Sequence, residues 1–254
     1  MVYTSKSSHS AGYLREYAQK YRTVEVDSWF YKTPTPADAA EYLSYVDPTF
    51  TFSCKLSESI TLTHPRGKTE PNPTFLSPDQ FNQYAFGIEQ LVPQLFAIEM
   101  EFEYLNKQKM ASLRTFLNSL EAFLSQINTT LPLAIETRNS NYLKPEYFQF
   151  LHDHNLSHVF SEKLYMPSIC SVYEQFGHLL TDKVVVRLLG GDRKEIEAKT
   201  KGKWDSIVEE KADLPQIVDM FKNMDTKGKL LSVYVNNHYE GSAPLTIEKI
   251  QAML

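Results

Sequence analysis

The chain has 254 residues, 42% of them hydrophobic and 22% charged, with a formal net charge of −5. That length suits one large domain spanning residues 1–254, and α/β barrels of about 250 residues are routine. The acidic balance argues against a general nucleic-acid binder, which carries a basic face, and no apolar run approaches the roughly 18 residues of a membrane span.

Strands and helices alternate along the chain. A helix is predicted over Tyr13–Tyr21, then a strand over Thr23–Phe30. Thr35-Pro36-Ala37-Asp38 reads as an N-cap, a proline at the first helical position and an acidic first turn, opening a helix to about Tyr45. A strand is expected over Phe50–Lys55, followed by a long loop, Leu56–Leu76. Ser77-Pro78-Asp79-Gln80 starts the next helix. Pro93–Met100 is an apolar run, Gln108–Ser125 a long helix and Leu131–Thr137 a strand. Pro145–His154 is then helical and Ser157–Phe160 a short strand, with a less regular stretch after it. Lys183–Leu189 is a strand, followed by a charged loop and a helix near Leu214–Asn223. The strand Leu230–Asn236 and a helix from Thr246 close the chain. This alternation implies parallel β–α–β units with helices outside. Seven strands are counted where a closed (β/α)₈ barrel needs eight. The competing doubly wound sheet lacks its Gly-rich first turn here.

Strand after strand ends on charged or amide groups: Glu25 and Asp27, Lys55, Glu136 and Arg138, Arg187, then Asn236 and Asn237. Side chains alternate faces along a strand, so Glu25 shares a face with Asp27, and Glu136 with Arg138. Ionisable groups on a buried face must be paired or bind something. The pattern marks a polar centre in an apolar sheet.

The segments TVEVDSWFYKTP, TFSCKLSESITLTH, AIETRN, VVVRLLGG and VYVNNHYEGSAP resemble, in order, the motifs of the YecE-like family, also called domain of unknown function 72. The resemblance spans nearly the whole chain. It implies an α/β, TIM-type barrel and a cytoplasmic protein without an established activity. Family members usually begin with a strand similar to Gly-Thr-Ser-Gly-Trp, which MVYTSKSSHS does not match. The expected barrel thus lacks the family's first strand, and whether that strand lies upstream of Met1 stays open. In place of the family's usual Q-L-P-P run the chain has Pro-Gln-Leu-Phe-Ala-Ile-Glu-Met.

Catalytic residues of TIM-type barrels come from the C-terminal ends of several strands. On that basis Arg187, Arg138 and Lys55, with Asp27, Asn236 and Asn237, are expected to hold a small anionic metabolite. The best class is a phosphorylated or carboxylated sugar-like molecule. Glu136 or Glu25 would act as general acid or base, and His64, at the mouth of the long loop, as a proton shuttle. The alternative is a non-catalytic protein in which three acids and three bases form a self-compensating ion network. Gly190-Gly191-Asp192 is a weak phosphate-loop candidate. The charged run beyond it, with Trp204, reads as solvated loop and helix, a lid being the minority reading. His152, His154 and His158 sit between a helix and the next strand and read as surface or packing residues. No metal and no cofactor are expected. Cys54 and Cys170 match no metal or redox spacing; Cys54 reads as a core thiol, and the absence of a disulfide framework points to a reducing cytoplasm. The N-terminus lacks the apolar core of a signal peptide. Oligomeric state stays open.

Overall fold

The structure, a computed structural model, describes residues 10–127 and 130–254. Among them seven parallel strands alternate with helices, the α/β fold of TIM-type barrels. The segment on which the missing first strand was expected to fall, residues 1–9, lies outside the described residues. The chain forms two compact units, one ending at Tyr142 and one running Leu143–Leu254.

The first unit carries α1 (Ser10–Ala18), β1 (Thr23–Val26), α2 (Pro36–Leu43), β2 (Thr51–Lys55), α3 (Glu58–Thr61), α4 (Pro78–Gly87), β3 (Leu95–Glu101), α5 (Leu113–Leu124) and β4 (Leu133–Glu136). Its strands pair in chain order, with Glu25 opposite Ser53, Lys55 opposite Glu99 and Glu101 opposite Glu136. One face of this sheet packs on aromatic side chains of the helices: Phe52 against Tyr42 of α2, and Phe102 against Phe116 of α5. Alternation then puts Glu25, Lys55, Glu99, Glu101 and Glu136 on the opposite face.

Helix starts follow local chemistry. Thr35 accepts from Asp38 N while Asp38 accepts from Thr35 N, a reciprocal capping box ahead of Pro36. Ser77 and Ser112 cap α4 and α5. The predicted first strand is shorter than expected: after Val26 the chain turns into a 3₁₀ segment, Asp27–Phe30, which buries Trp29 and Phe30. The loop after β2 is firmly laced. Asn72 Nδ2 donates to Ser59 O and Leu62 O, and Leu76 N donates to Ile60 O.

The second unit carries α6 (Pro145–Asp153), β5 (Ser157–Lys163), α7 (Ile169–Phe176), β6 (Lys183–Gly190), α8 (Arg193–Thr200), α9 (Leu214–Thr226), β7 (Leu230–Val235) and α10 (Ala243–Met253). The stretches read as irregular and as a charged loop contain α7 and α8. In α8 polar residues dominate, so periodicity gives no signal. The helix is held instead by Asp192, which caps Lys194 N and Glu195 N, and by the ion pairs Arg193–Glu197 and Lys199–Glu195. No helix among the described residues is long and apolar enough to cross a membrane.

Candidate functional site

In the first unit the strand ends converge on Lys55. Its Nζ lies 2.5 Å from Asp27 Oδ1 and 2.7 Å from Glu101 Oε2. Glu101 turns its other oxygen to Arg138 Nη2 at 2.6 Å, and Arg138 Nε lies 3.3 Å from Glu136. Backbone contacts fix these side chains: Tyr84 OH donates to Lys55 O, and Phe102 N to Glu136 O. Asn139 exchanges two hydrogen bonds with the main chain of Leu105, which locks the turns after β3 and β4 together beside Arg138. Lys55 also faces the ring of Phe30 at 5.4 Å, and Arg66 lies at the same distance from the rings of Phe30 and Tyr31.

Four expected residues, Asp27, Lys55, Glu136 and Arg138, therefore join one network. Glu25 shares the face with them, opposite Ser53. Glu25, Glu99 and Glu136 are 0% exposed, whereas the side chains of Glu101 and Arg138 keep 14% and 24% exposure. Glu99 and Glu101 were missed because LFAIEME reads as an apolar run. Yet Ala97, Glu99 and Glu101 alternate on one face, which is the signal that finds them. With them the face carries Glu25, Lys55, Glu99, Glu101 and Glu136, and Asp27 and Arg138 join it from just beyond β1 and β4.

His64 sits in a different set of contacts. Thr63 donates from N and Oγ1 to Glu103, which also pairs with Lys109. The Thr63 hydroxyl gives its hydrogen to Glu103, and His64 Nδ1 lies 3.1 Å from the same oxygen. Burial pushes the Glu103 carboxyl up, but the bonds from Lys109 and Thr63 outweigh it and hold the group below its ordinary value.

In the second unit Arg187 is buried on β6, opposite Ser161 and Tyr234. Asn236 Oδ1 accepts from His238 N and lies 2.6 Å from His238 Nδ1. The other ring nitrogen of His238 lies 3.3 Å from Glu197, and its ring packs on Trp204. Asn237 Oδ1 accepts from Ala243 N at the start of α10. Of the glycine pair, Gly190 has φ +85 and its backbone abuts His238 O, where a Cβ would come to 2.2 Å; a Cβ on Gly191 would meet nothing. The buried carboxylate of Glu240 accepts from Lys211 N, Lys249 Nζ and Thr246 Oγ1. The polypeptide after α8 is thereby strapped to the loop after β7, with Val208 N also donating to Glu240 O. His238 and Glu240 escaped the sequence reading because the NNHYEG run carries no periodicity.

His158 is buried among Tyr147, Phe148 and Phe160, with Nδ1 3.2 Å from Tyr147 OH, while His154 stacks on Phe150 of its own helix. Among the described residues no group of three or more His, Cys, Asp and Glu side chains is placed to hold a metal ion. Cys54 is fully buried, and burial pushes its thiol well above the usual range.

No curated protein sequence matches the chain significantly. Solved structures share its fold, and three of them are DUF72 family proteins. Two are crystal structures of a DUF72 family protein from Enterococcus faecalis V583. One is 20% identical with a TM-score of 0.71, covering 95% of this chain and 87% of that one. The other is 20% identical with a TM-score of 0.69, covering 97% and 94%. The third is a DUF72 family protein from Thermotoga maritima MSB8, 18% identical with a TM-score of 0.68, covering 96% of this chain and 89% of that one. The sequence profile described as "Protein of unknown function DUF72" matches residues 1–254, so the chain belongs to the DUF72 family.

Proposed function

We propose that the protein binds a small hydroxylated, sugar-like metabolite at the C-terminal ends of β1–β4, with Glu101 as the group that takes or gives a proton. The half-open Glu101 carboxylate, held between Lys55 and Arg138, carries the reading. Carboxylates accept hydrogen bonds from ligand hydroxyls, while Lys55 and Arg138 donate to ligand oxygens. Glu101 is more open than Glu25, Glu99 or Glu136 and is oriented by two cations at once, the arrangement a positioned acid–base group needs. Glu25 and Glu136, to which the strand pattern alone gives the proton-transfer role, are fully buried, and Glu136 reaches Glu101 through Arg138, which lies beside both.

A second reading keeps the anionic, phosphorylated or carboxylated metabolite. It is favoured by Arg138, whose side chain is the more open of the two cations. Against it, an anion must compete with Asp27 and Glu101 for Lys55, and with Glu101 and Glu136 for Arg138.

Calorimetric titration of neutral sugars, sugar acids and sugar phosphates into wild type, Glu101→Gln and Arg138→Ala tests both. A neutral sugar bound by wild type and lost in Glu101→Gln supports the first reading. Binding confined to acidic sugars and lost in Arg138→Ala supports the second. Binding of neither class by a folded wild type overturns both and leaves the cluster a structural ion network.

A further inference from the structure

Beside the Lys55 network, one cation of the first unit keeps hydrogen-bond donors in hand. Arg66 Nε donates to Glu58 Oε2 at 2.7 Å, and its two terminal nitrogens make no hydrogen bond among the described residues. The neighbouring cations are committed. Lys55 is shared by Asp27 and Glu101, Arg138 by Glu101 and Glu136, and Lys109 is held by Glu103.

Local sequence explains why this side chain stays in place. Pro65-Arg66-Gly67-Lys68 is a turn closed by Lys68 N donating to Pro65 O, with Gly67 at φ +71 in the third position, where glycine serves. The turn leaves the laced loop after β2, in which Asn72 N donates to Thr63 O and Asn72 Nδ2 to Leu62 O. The guanidinium then rests 5.4 Å from the ring centres of both Phe30 and Tyr31. An exposed ion pair alone holds a long side chain weakly; here one carboxylate and two rings fix it. Partial burial lowers the Arg66 value, but Glu58, then Tyr31 and Glu101, outweigh it and hold the guanidinium above its ordinary range.

Phe30 connects Arg66 to the candidate site. Lys55 Nζ lies 5.4 Å from the same ring, so Arg66 stands no more than two ring contacts from the ammonium that Glu101 holds. Its side chain is 59% exposed, against 24% for Arg138 and 7% for Lys55. An incoming anion at Lys55 or Arg138 competes with two carboxylates already in place. At Arg66 it meets no such competitor, because Glu58 occupies the Nε side and leaves the fork of terminal nitrogens open.

We propose that Arg66 is the specificity-determining residue of this site and takes the oxyanion substituent, carboxylate or phosphate, of an acidic sugar whose hydroxyls lie at Glu101. The role rests on the function proposed above for Glu101 and narrows its substrate class from sugars in general to sugars with an acidic group. A planar fork of two N–H donors matches either oxyanion edge on. Glu58 and the two rings hold the fork in advance, so binding costs little further ordering of the side chain. Lys55 and Arg138 are then left to orient Glu101.

The test titrates glucose, glucuronate and glucose 6-phosphate into wild type, Arg66→Ala, Arg66→Lys, Glu101→Gln and Arg138→Ala, with thermal melts of all five. Wild type is expected to bind one of the acidic sugars about tenfold more tightly than glucose, the scale of one charge-assisted contact. Which one it prefers separates carboxylate from phosphate. Arg66→Ala should bind glucose as wild type does and lose the preference. Arg66→Lys, with the charge but not the fork, should fall between. A preference absent from wild type, or kept in Arg66→Ala, overturns the role of Arg66 and leaves the Glu101 reading standing. A preference lost in Arg138→Ala but not in Arg66→Ala puts the anion on Arg138 and overturns it too. Glucose binding lost in Arg66→Ala, with or without a fall in Tm, makes the arginine a general support of the site and overturns the proposal. Glucose binding unchanged in Glu101→Gln overturns the Glu101 reading, and a preference still lost in Arg66→Ala then leaves Arg66 standing as an anion receptor. Binding of none of the three by a folded wild type overturns both.

Discussion

Lys55 Nζ and Asp27 Oδ1 are 2.5 Å apart, and the same ammonium reaches Glu101 at 2.7 Å. One side chain of β2 thus ties the end of β1 to the end of β3. All three groups are largely shielded from water, so each charge depends on its neighbours.

Lys55→Met leaves Asp27 and Glu101 facing each other without their shared cation. Removing one partner of a buried ion pair costs about 3–5 kcal/mol, and urea unfolding of the variant should show a loss of that order. Adding Asp27→Asn and Glu101→Gln removes the uncompensated charges and should restore most of it. A triple variant no more stable than Lys55→Met would mean that packing of the lysine stem, rather than charge, is what the position supplies.

Glu103 and Glu162 should give opposite acid-side behaviour. Bonds from Lys109 and Thr63 keep the folded Glu103 carboxyl below its ordinary value despite burial. Its stabilisation is therefore present above the unfolded value, near 4.3, and lost as pH falls through the lower folded value. For Glu162, burial raises the folded value, with Asp213 adding to it, against the bond from Ile169 N. Its contribution is present below the unfolded value and lost as pH rises through the higher folded one. Glu103→Gln should accordingly flatten the acid limb of a stability–pH curve. Glu162→Gln should stabilise the protein at neutral pH and change nothing well below pH 4. Parallel curves for both variants would contradict the assignment.

The glycine pair after β6 should split cleanly. Gly190→Ala drives a Cβ to 2.2 Å from His238 O at a φ of +85, and a loss of about 2 kcal/mol or more is expected. Gly191→Ala meets open space and should stay within about 0.5 kcal/mol of wild type. Thermal melts decide it; equal losses at both positions would show that the pair acts through its flexibility.

Tyr239 OH is buried and makes no hydrogen bond among the described residues. Burial, with Asp213, Glu162, Glu240 and Cys170 nearby, pushes its phenol far up. A buried hydroxyl without a partner costs about 1–3 kcal/mol, so Tyr239→Phe should raise stability by about 1 kcal/mol in denaturant unfolding. A fall instead would reveal a water or ligand bonded to the phenol.

Much of this was legible before the fold was known. The charges at the strand ends could be read from the sequence, and Asp27, Lys55, Glu136 and Arg138 join one network. Asp27 and Arg138, however, lie just past the last residues of β1 and β4, where strand alternation no longer sets the face. Thr35-Pro36 and Ser77-Pro78 announced their helices through side chains that cap them. Glu101 was hidden for a different reason: two carboxylates inside LFAIEME look like interruptions of a core strand until partner strands supply Lys55 and Arg138. The helix α8 was hidden because its stability comes from a cap and surface ion pairs, not from an apolar stripe.

Glu240 gathers Lys211 N, Thr246 Oγ1 and Lys249 Nζ on one carboxylate. The strap after α8 and the last helix of the chain are consequently a single cooperative unit. The amides of Val208 and Lys211 should exchange with deuterated solvent in step with those of α10, and a cut anywhere in the strap would loosen the C-terminus with it.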